Sequence, residues 1–343
     1  MGYEASAEQH TVELDKWEAW DDFLETKTNT GFRQSSWYTA FKAARGWKHF
    51  GTVLRDGEAI VGGAMVLERS FTPEKCYYYV PDGPVFLEDD SSAEQEQVFR
   101  AVMDFVERKR QSEQKAVSHL SIEPRWEHVP SFVRGFRESS HYYGSPRDTH
   151  CIDLIPPEIA ILAQMKPKGR YNIGVARRLG VSVVEDVSPQ GIEDFLKIYR
   201  ETCDRKGLHG LSPGYFHTLI PVLSASERGS IFFAEYQGTR VATALVVYFG
   251  RTATYYHGGS RAIHRNVMAP YLLHFEIMRK ARTLGLQLYD LFGVTPQGGP
   301  CDGWTDISMF KRKFGGRELR LVPTLEYIYD PVAYKEWEAI EEE

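Results

Sequence analysis

Two stretches of the chain carry the same succession of hydrophobic patterns. In the first, the runs His49-Phe-Gly-Thr-Val-Leu-Arg55, Ala59-Ile-Val-Gly-Gly-Ala-Met-Val-Leu67 and Cys76-Tyr-Tyr-Tyr-Val80 are short and β-rich, and Asp56-Gly57 separates the first two. They predict a three-strand meander, because Asp-Gly suits a tight hairpin. A helix is predicted over Ser92 to Arg110, with Val98, Phe99, Val102, Phe105 and Val106 on one face, and a strand over Val117 to Ile122. The second stretch repeats the plan. Ser230 to Tyr236, Gln237-Gly238, Val241 to Phe249 and Thr252 to His257 form its meander, a helix runs from Pro270 to Thr283, Gly285 ends it, and Leu286 to Leu291 is the last strand. Helices are expected before each unit, over Val12 to Thr26 and Gly191 to Arg205.

Composition narrows what such a repeat can do. The 343 residues hold 41 Lys+Arg against 47 Asp+Glu, a formal charge of −6, so the broad basic surface of a bulk nucleic-acid binder is excluded. One dense basic stretch stands out, Lys166-Pro-Lys-Gly-Arg-Tyr-Asn-Ile-Gly-Val-Ala-Arg-Arg178. No run of eighteen apolar residues and no apolar leader is present, so a cytoplasmic protein is expected. Cys76, Cys151, Cys203 and Cys301 are widely spaced with no CxxC pair; they read as reduced core thiols, with no metal site and no cofactor expected.

Helix, meander, helix, strand is the order of acetyltransferase-type domains, an analogy that concerns fold alone. Such domains cradle coenzyme A pyrophosphate on a glycine-rich loop ahead of the long helix. Here that loop would be His264-Arg-Asn-Val-Met-Ala-Pro270, which has no glycine, and the first unit offers the acidic Glu88-Asp-Asp-Ser-Ser-Ala93. An acyl-CoA donor is disfavoured in both, and the basic stretch around Arg170 points to a donor that carries phosphates.

Five segments together resemble the FemABX family of aminoacyl-tRNA-dependent peptidyltransferases. They are Lys168 to Val181, Tyr255-Tyr-His-Gly-Gly-Ser260, Asn266-Val-Met-Ala-Pro-Tyr-Leu-Leu273, Tyr289-Asp-Leu-Phe-Gly293 and Phe310-Lys-Arg-Lys-Phe-Gly315. Weaker matches are Gln34-Ser35, Gly46-Trp47, Tyr79-Val-Pro-Asp-Gly-Pro84 and Ile122-Glu-Pro124. The resemblance implies an α+β protein of two tandem acetyltransferase-like (GNAT-like) domains, residues 1–147 and 148–319, with the tail 320–343 returning to the first. No heptad insertion lies between Phe195 and Ser230, as in the shorter members that lack a coiled-coil arm. It implies transfer of an amino acid from aminoacyl-tRNA to an amine acceptor, usually the stem peptide of a peptidoglycan precursor, by a protein expected to act as a monomer. A lipid-linked acceptor would add peripheral contact with a membrane. A small amine-bearing metabolite as acceptor, an acyl-CoA-dependent transferase and a non-catalytic RNA-binding protein remain alternatives.

Aminolysis of an ester passes through a tetrahedral oxyanion, which calls for a positive donor and a route for the amine proton. The resemblance assigns Lys311 to stabilise the oxyanion or grip the ester, Phe310 to stack on the terminal adenine, and Glu326, fifteen positions on, to orient the lysine. Taken alone, a lysine in Phe-Lys-Arg-Lys is a solvated charge. The acceptor groove is assigned Tyr215, Tyr255, His257, Glu123 and Tyr38; each could equally be a packed strand or core residue. Strand alternation puts Tyr255 and His257 on one face and Tyr256 on the other. Ser36 and Leu211 occupy positions where relatives that take nucleotide-linked precursors hold the diphosphate with Lys and Arg, so Arg33, Lys42, Arg205 or His209 would have to substitute. The tRNA-facing patch is Lys166, Lys168, Arg170, Arg177 and Arg178, with a helix beginning near Tyr171.

Overall fold

The computed structural model describes residues 10–11, 17–87, 91–141, 146–295 and 305–341. Glu88 to Asp90, Cys301 and the Val12 to Lys16 part of the first helix expected above lie outside them. The chain forms two compact α+β units, Met1–Arg147 with Leu321–Glu343, and Asp148–Arg320.

In the first unit the strands Lys48–Asp56, Ala59–Thr72 and Lys75–Pro81 form the antiparallel meander. Gly57, at φ +58, makes the first turn. The helix Ser92–Ser112 begins with a capping box, the Ser91 hydroxyl accepting from the Glu94 N–H while the Glu94 carboxylate accepts from the Ser91 N–H. It buries Val98, Phe99, Val102 and Val106 against the sheet. Ala116–Glu123 then runs parallel to Lys75–Pro81, paired from Lys75 with Ala116 to Pro81 with Glu123 with a one-residue shift between Cys76 and Tyr78. Beyond it the sheet is extended by Leu325–Ile328, antiparallel, and the helix Pro331–Glu341 buries Trp337 against His119 and Tyr77, ring centroids 4.4 and 5.6 Å away.

The second unit repeats this order. Gly229–Tyr236, Thr239–Phe249 and Thr252–Ser260 are the meander. Gln237 and Gly238 both have positive φ, +49 and +72, as a two-residue hairpin turn requires. The helix Ala269–Thr283 crosses to Leu288–Gly293, parallel to Thr252–Ser260, and Asp148–Asp153 lies antiparallel beyond it. One face carries the helices Pro167–Arg178 and Ala269–Thr283 with the main apolar core. The other packs on Pro189–Lys206, capped by Ser188 and ended by Gly207 at φ +65, and on Pro213–Ala225. The basic helix starts at Pro167, a turn before Tyr171, because proline at the first helical position forfeits no hydrogen bond. No described helix is long and apolar enough to cross a membrane. Cys76, Cys151 and Cys203 are buried.

Candidate active site

The parallel pairing of the second unit is short. Thr252, Ala253 and Thr254 pair with Leu288, Tyr289 and Asp290, and the two strands then part. Beside this split lies a cavity of about 700 Å³, with Tyr255, His274, Phe310 and Lys311 in its lining. Lys311, the last residue of the helix Thr305–Lys311, is 3 % exposed. Its Nζ donates to the Gly293 carbonyl at 2.6 Å and stands 5.8 Å from the centroid of the Tyr255 ring. Burial pushes the ammonium down to about 7, a fall that the nearby Asp290 carboxylate limits. His274 packs edge-on against Tyr255 at 4.6 Å, and its Nδ1 is 2.7 Å from the Tyr289 hydroxyl. Burial, reinforced by the Lys311 charge, takes His274 down to about 3, so it is neutral at physiological pH. Phe310, half-buried, stands against Tyr271 and His274 at 5.0 and 5.5 Å and presents an aromatic wall.

Cations crowd the lining. Arg205, Lys206, Arg261, Arg265 and Lys313 join Lys311 there, with Asp306 as the acidic member. Lys206 pairs with Asp306 at 2.9 Å and Arg261 with Glu201 at 3.0 Å. The loop ahead of the long helix also lines the cavity. It reaches left-handed backbone without glycine, at His264 (φ +54) and Met268 (φ +56). Its N–H groups are poorly placed to cradle a pyrophosphate, since those of Val267 and Met268 already donate to His264 and Arg265 carbonyls and Pro270 has none.

One expectation about the aromatic strand is overturned. Leu245 pairs with His257 but Val246 pairs with Tyr255, so Tyr256 is the extra residue of a β-bulge. A bulge resets the alternation. Tyr255 therefore faces the helix Ala269–Thr283, whereas His257 turns to the opposite face, with Tyr199, Tyr215 and Phe216 at 6.0, 5.8 and 5.2 Å. Tyr256 goes with it, 4.2 Å from His257, its hydroxyl 3.0 Å from that of Tyr215. Tyr215, Tyr256 and His257 thus form one aromatic cluster, from which Tyr255 is separated. Burial lowers His257 to about 3, and its Nε2 is enclosed without a hydrogen-bond partner.

Residues of the first unit are engaged in its own framework. Glu123, 4 % exposed, accepts from Arg33 at 3.0 Å, from Thr324 at 3.0 Å and from the Tyr79 hydroxyl. Arg33 also forks onto Asp82, at 2.7 and 3.2 Å, and burial, which would raise Asp82, is outweighed by that guanidinium. So committed, Arg33 is not available to a diphosphate. Tyr38 is a core aromatic, 3 % exposed, beside Phe32 and Phe41. Ser36 donates to Asp21 through both its N–H and its hydroxyl. Lys42 is different: its Nζ lies 4.4 Å from the Trp47 ring, and burial, then the charges of Arg33, Arg45 and Arg69, take it down to about 7. Glu326, fully buried, accepts from Ser139 at 2.6 Å and Tyr334 at 2.8 Å and lies 3.6 Å from Arg137.

All five residues of the basic stretch are exposed, on or next to the helix Pro167–Arg178. Arg170 is occupied in closing the preceding helix, donating to the carbonyls of Ala163 and Met165. Arg177 pairs with Glu276 at 3.0 Å and covers Phe275. Lys166 and Lys168 have no ion-pair partner among the described residues, and Arg178 lies over Tyr171.

Comparison with known proteins bears on this arrangement. The model of the FemAB family matches residues 133–236 and 225–342. The UDP-N-acetylmuramoylpentapeptide-lysine N(6)-alanyltransferase of Weissella viridescens is 23 % identical over 318 residues, 86 % of this chain and 89 % of that protein. The crystal structure of FemX superposes with a TM-score of 0.83 at 15 % identity, over 96 % of this chain and 99 % of that one. A tandem GNAT protein from the clavulanic acid biosynthesis pathway gives 0.57 at 12 % identity, over 95 % and 99 %. The fold is therefore that of two acetyltransferase-like domains in tandem.

Proposed function

Because the chain belongs to the FemAB family, we propose that it is an aminoacyl-tRNA-dependent aminoacyltransferase, forming a peptide bond between an amino acid carried on tRNA and an amine of a peptidoglycan-precursor stem peptide. The observation that carries this reading is the cavity holding Lys311, lined among the described residues by six basic side chains in a chain of net charge −6. A phosphate-bearing 3′ end is drawn to such a place. The amine attacks the ester carbonyl, a C–N bond forms and the C–O bond to ribose breaks. The proton leaves the amine and ends on the ribose hydroxyl. The Lys311 ammonium stabilises the oxyanion between these events. Held down to about 7, that ammonium is also able to give a proton to the departing ribose oxygen and to recover one from the attacking amine. Phe310 offers a ring for the terminal adenine, and Lys166, Lys168 and Arg178 offer charge for the tRNA backbone.

For the acceptor, Tyr215, Tyr256 and His257 supply an apolar surface with phenolic donors. Lys42, poised on Trp47 near Arg45 and Arg69, supports a nucleotide-linked precursor, the kind for which the Weissella relative is named. The test is to incubate the protein with a pool of radiolabelled aminoacyl-tRNAs and the UDP-linked pentapeptide. Movement of one label to the peptide is expected; if no label moves from any tRNA to any amine acceptor supplied, the reading is wrong.

A further inference from the structure

The segment following Asp290 has an unusual backbone. Asp290, 2 % exposed, closes the parallel pairing opposite Thr254. Its Oδ1 accepts from the Phe292 N–H at 2.7 Å and from the Thr149 hydroxyl. Phe292 is held at φ +63, a region that bulky side chains seldom enter. The strand rejoins its neighbour only at Gly293, opposite Thr149. This one turn meets two parts of the site. The Gly293 carbonyl is the acceptor for Lys311, at 2.6 Å, and the Phe292 ring stands 5.5 Å from Tyr256 in the aromatic cluster.

We propose that Asp290 is a positioning residue for Lys311: by clamping the Phe292 N–H it holds the left-handed turn that directs the Gly293 carbonyl onto the ammonium, and it sets a negative charge beside that ammonium. The inference rests on the reading of Lys311 as the charged group of the site. Among the described residues, the groups in electrostatic reach of Lys311 include Asp290, the neutral His274 on the long helix, Tyr255 on the splayed strand and His150 on Asp148–Asp153, and Arg312 and Lys313 follow it in sequence. Asp290 is the carboxylate of this set, and its charge favours the ammonium that burial disfavours.

The experiment is an NMR titration of Lys311 in 13C-lysine-labelled protein, assigned with Lys311→Met; it needs neither donor nor acceptor. Asp290→Asn keeps an oxygen for the Phe292 N–H but removes the charge, so the lysine should lose its proton at least one pH unit lower, a tenfold loss of proton affinity. The alkaline limb of the transfer rate should move to lower pH by the same amount. Thr149→Val, which keeps the charge but frees one anchor, should speed exchange of the Phe292 amide at least tenfold. An unchanged Lys311 titration in Asp290→Asn overturns the proposal, as does unchanged Phe292 exchange in Thr149→Val. Absence of transfer with a shifted titration would instead count against the proposed reaction.

Discussion

Lys311 should destabilise the protein that depends on it. Its ammonium ordinarily titrates near 10.5 and is brought to about 7 by burial. At about 1.4 kcal/mol for each tenfold change in proton affinity, keeping it charged in the folded state costs roughly 5 kcal/mol. Lys311→Met keeps the stem and removes the charge. It also leaves the Gly293 carbonyl without this donor, a loss of about 1–3 kcal/mol. The variant should therefore be more stable than wild type by roughly 2–4 kcal/mol at pH 6. The sign follows from proton counting: between about pH 7 and 10.5 the unfolded lysine is protonated and the folded one is not, so wild-type stability rises with pH through that window. The advantage of the variant is full below pH 7 and fades as pH climbs towards 10.5, by about 1.4 kcal/mol per unit. Urea unfolding of both proteins at several pH values, followed by circular dichroism, measures it. A variant less stable than wild type at pH 6, or a difference that does not change with pH, would refute a buried, costly ammonium.

Replacing Lys166, Lys168 and Arg178 together by Glu should raise the KM for aminoacyl-tRNA and flatten its salt dependence, leaving the acceptor KM unchanged; steady-state kinetics at several salt concentrations decides. Arg33→Met strands Asp82 and Glu123, and should cost about 3–5 kcal/mol in urea melts near neutral pH. Since Arg33 holds Asp82 below its ordinary range, the stability that it lends is present above about pH 4 and lost below, so the deficit should shrink in acid. Tyr256→Phe removes the hydroxyl pair with Tyr215 and should raise the acceptor KM about fivefold, equivalent to about 1 kcal/mol, with the donor KM unmoved.

Much of the framework was legible from local signals. Both meanders, the two long helices and the parallel strands follow from hydrophobic period, and Gly57 and Gly238 mark turns by their own chemistry. What escaped depends on partners distant in the chain. The faces of Tyr255 and His257 follow from a one-residue slip against Leu245 and Val246, which alternation within one strand cannot reveal, and with it went the place of Tyr256. Arg33 looked free because Asp82 and Glu123 lie 49 and 90 positions away. Glu326 was assigned by the family resemblance, and the hydrogen bonds it accepts from Ser139 and Tyr334 within its own unit gave no local signal. The left-handed Phe292 gave no signal, since glycine or asparagine is the usual mark of that conformation.

The central claim is that Lys311 supplies positive charge to the transition state. Single-turnover transfer from pre-charged tRNA isolates chemistry from product release, and Lys311→Ala should slow it by about 10²–10³-fold while acceptor binding is nearly intact. Lys311→Arg should recover little, because a planar guanidinium cannot place its charge where a compact ammonium sat. A single-turnover rate in Lys311→Ala equal to that of wild type would contradict the account.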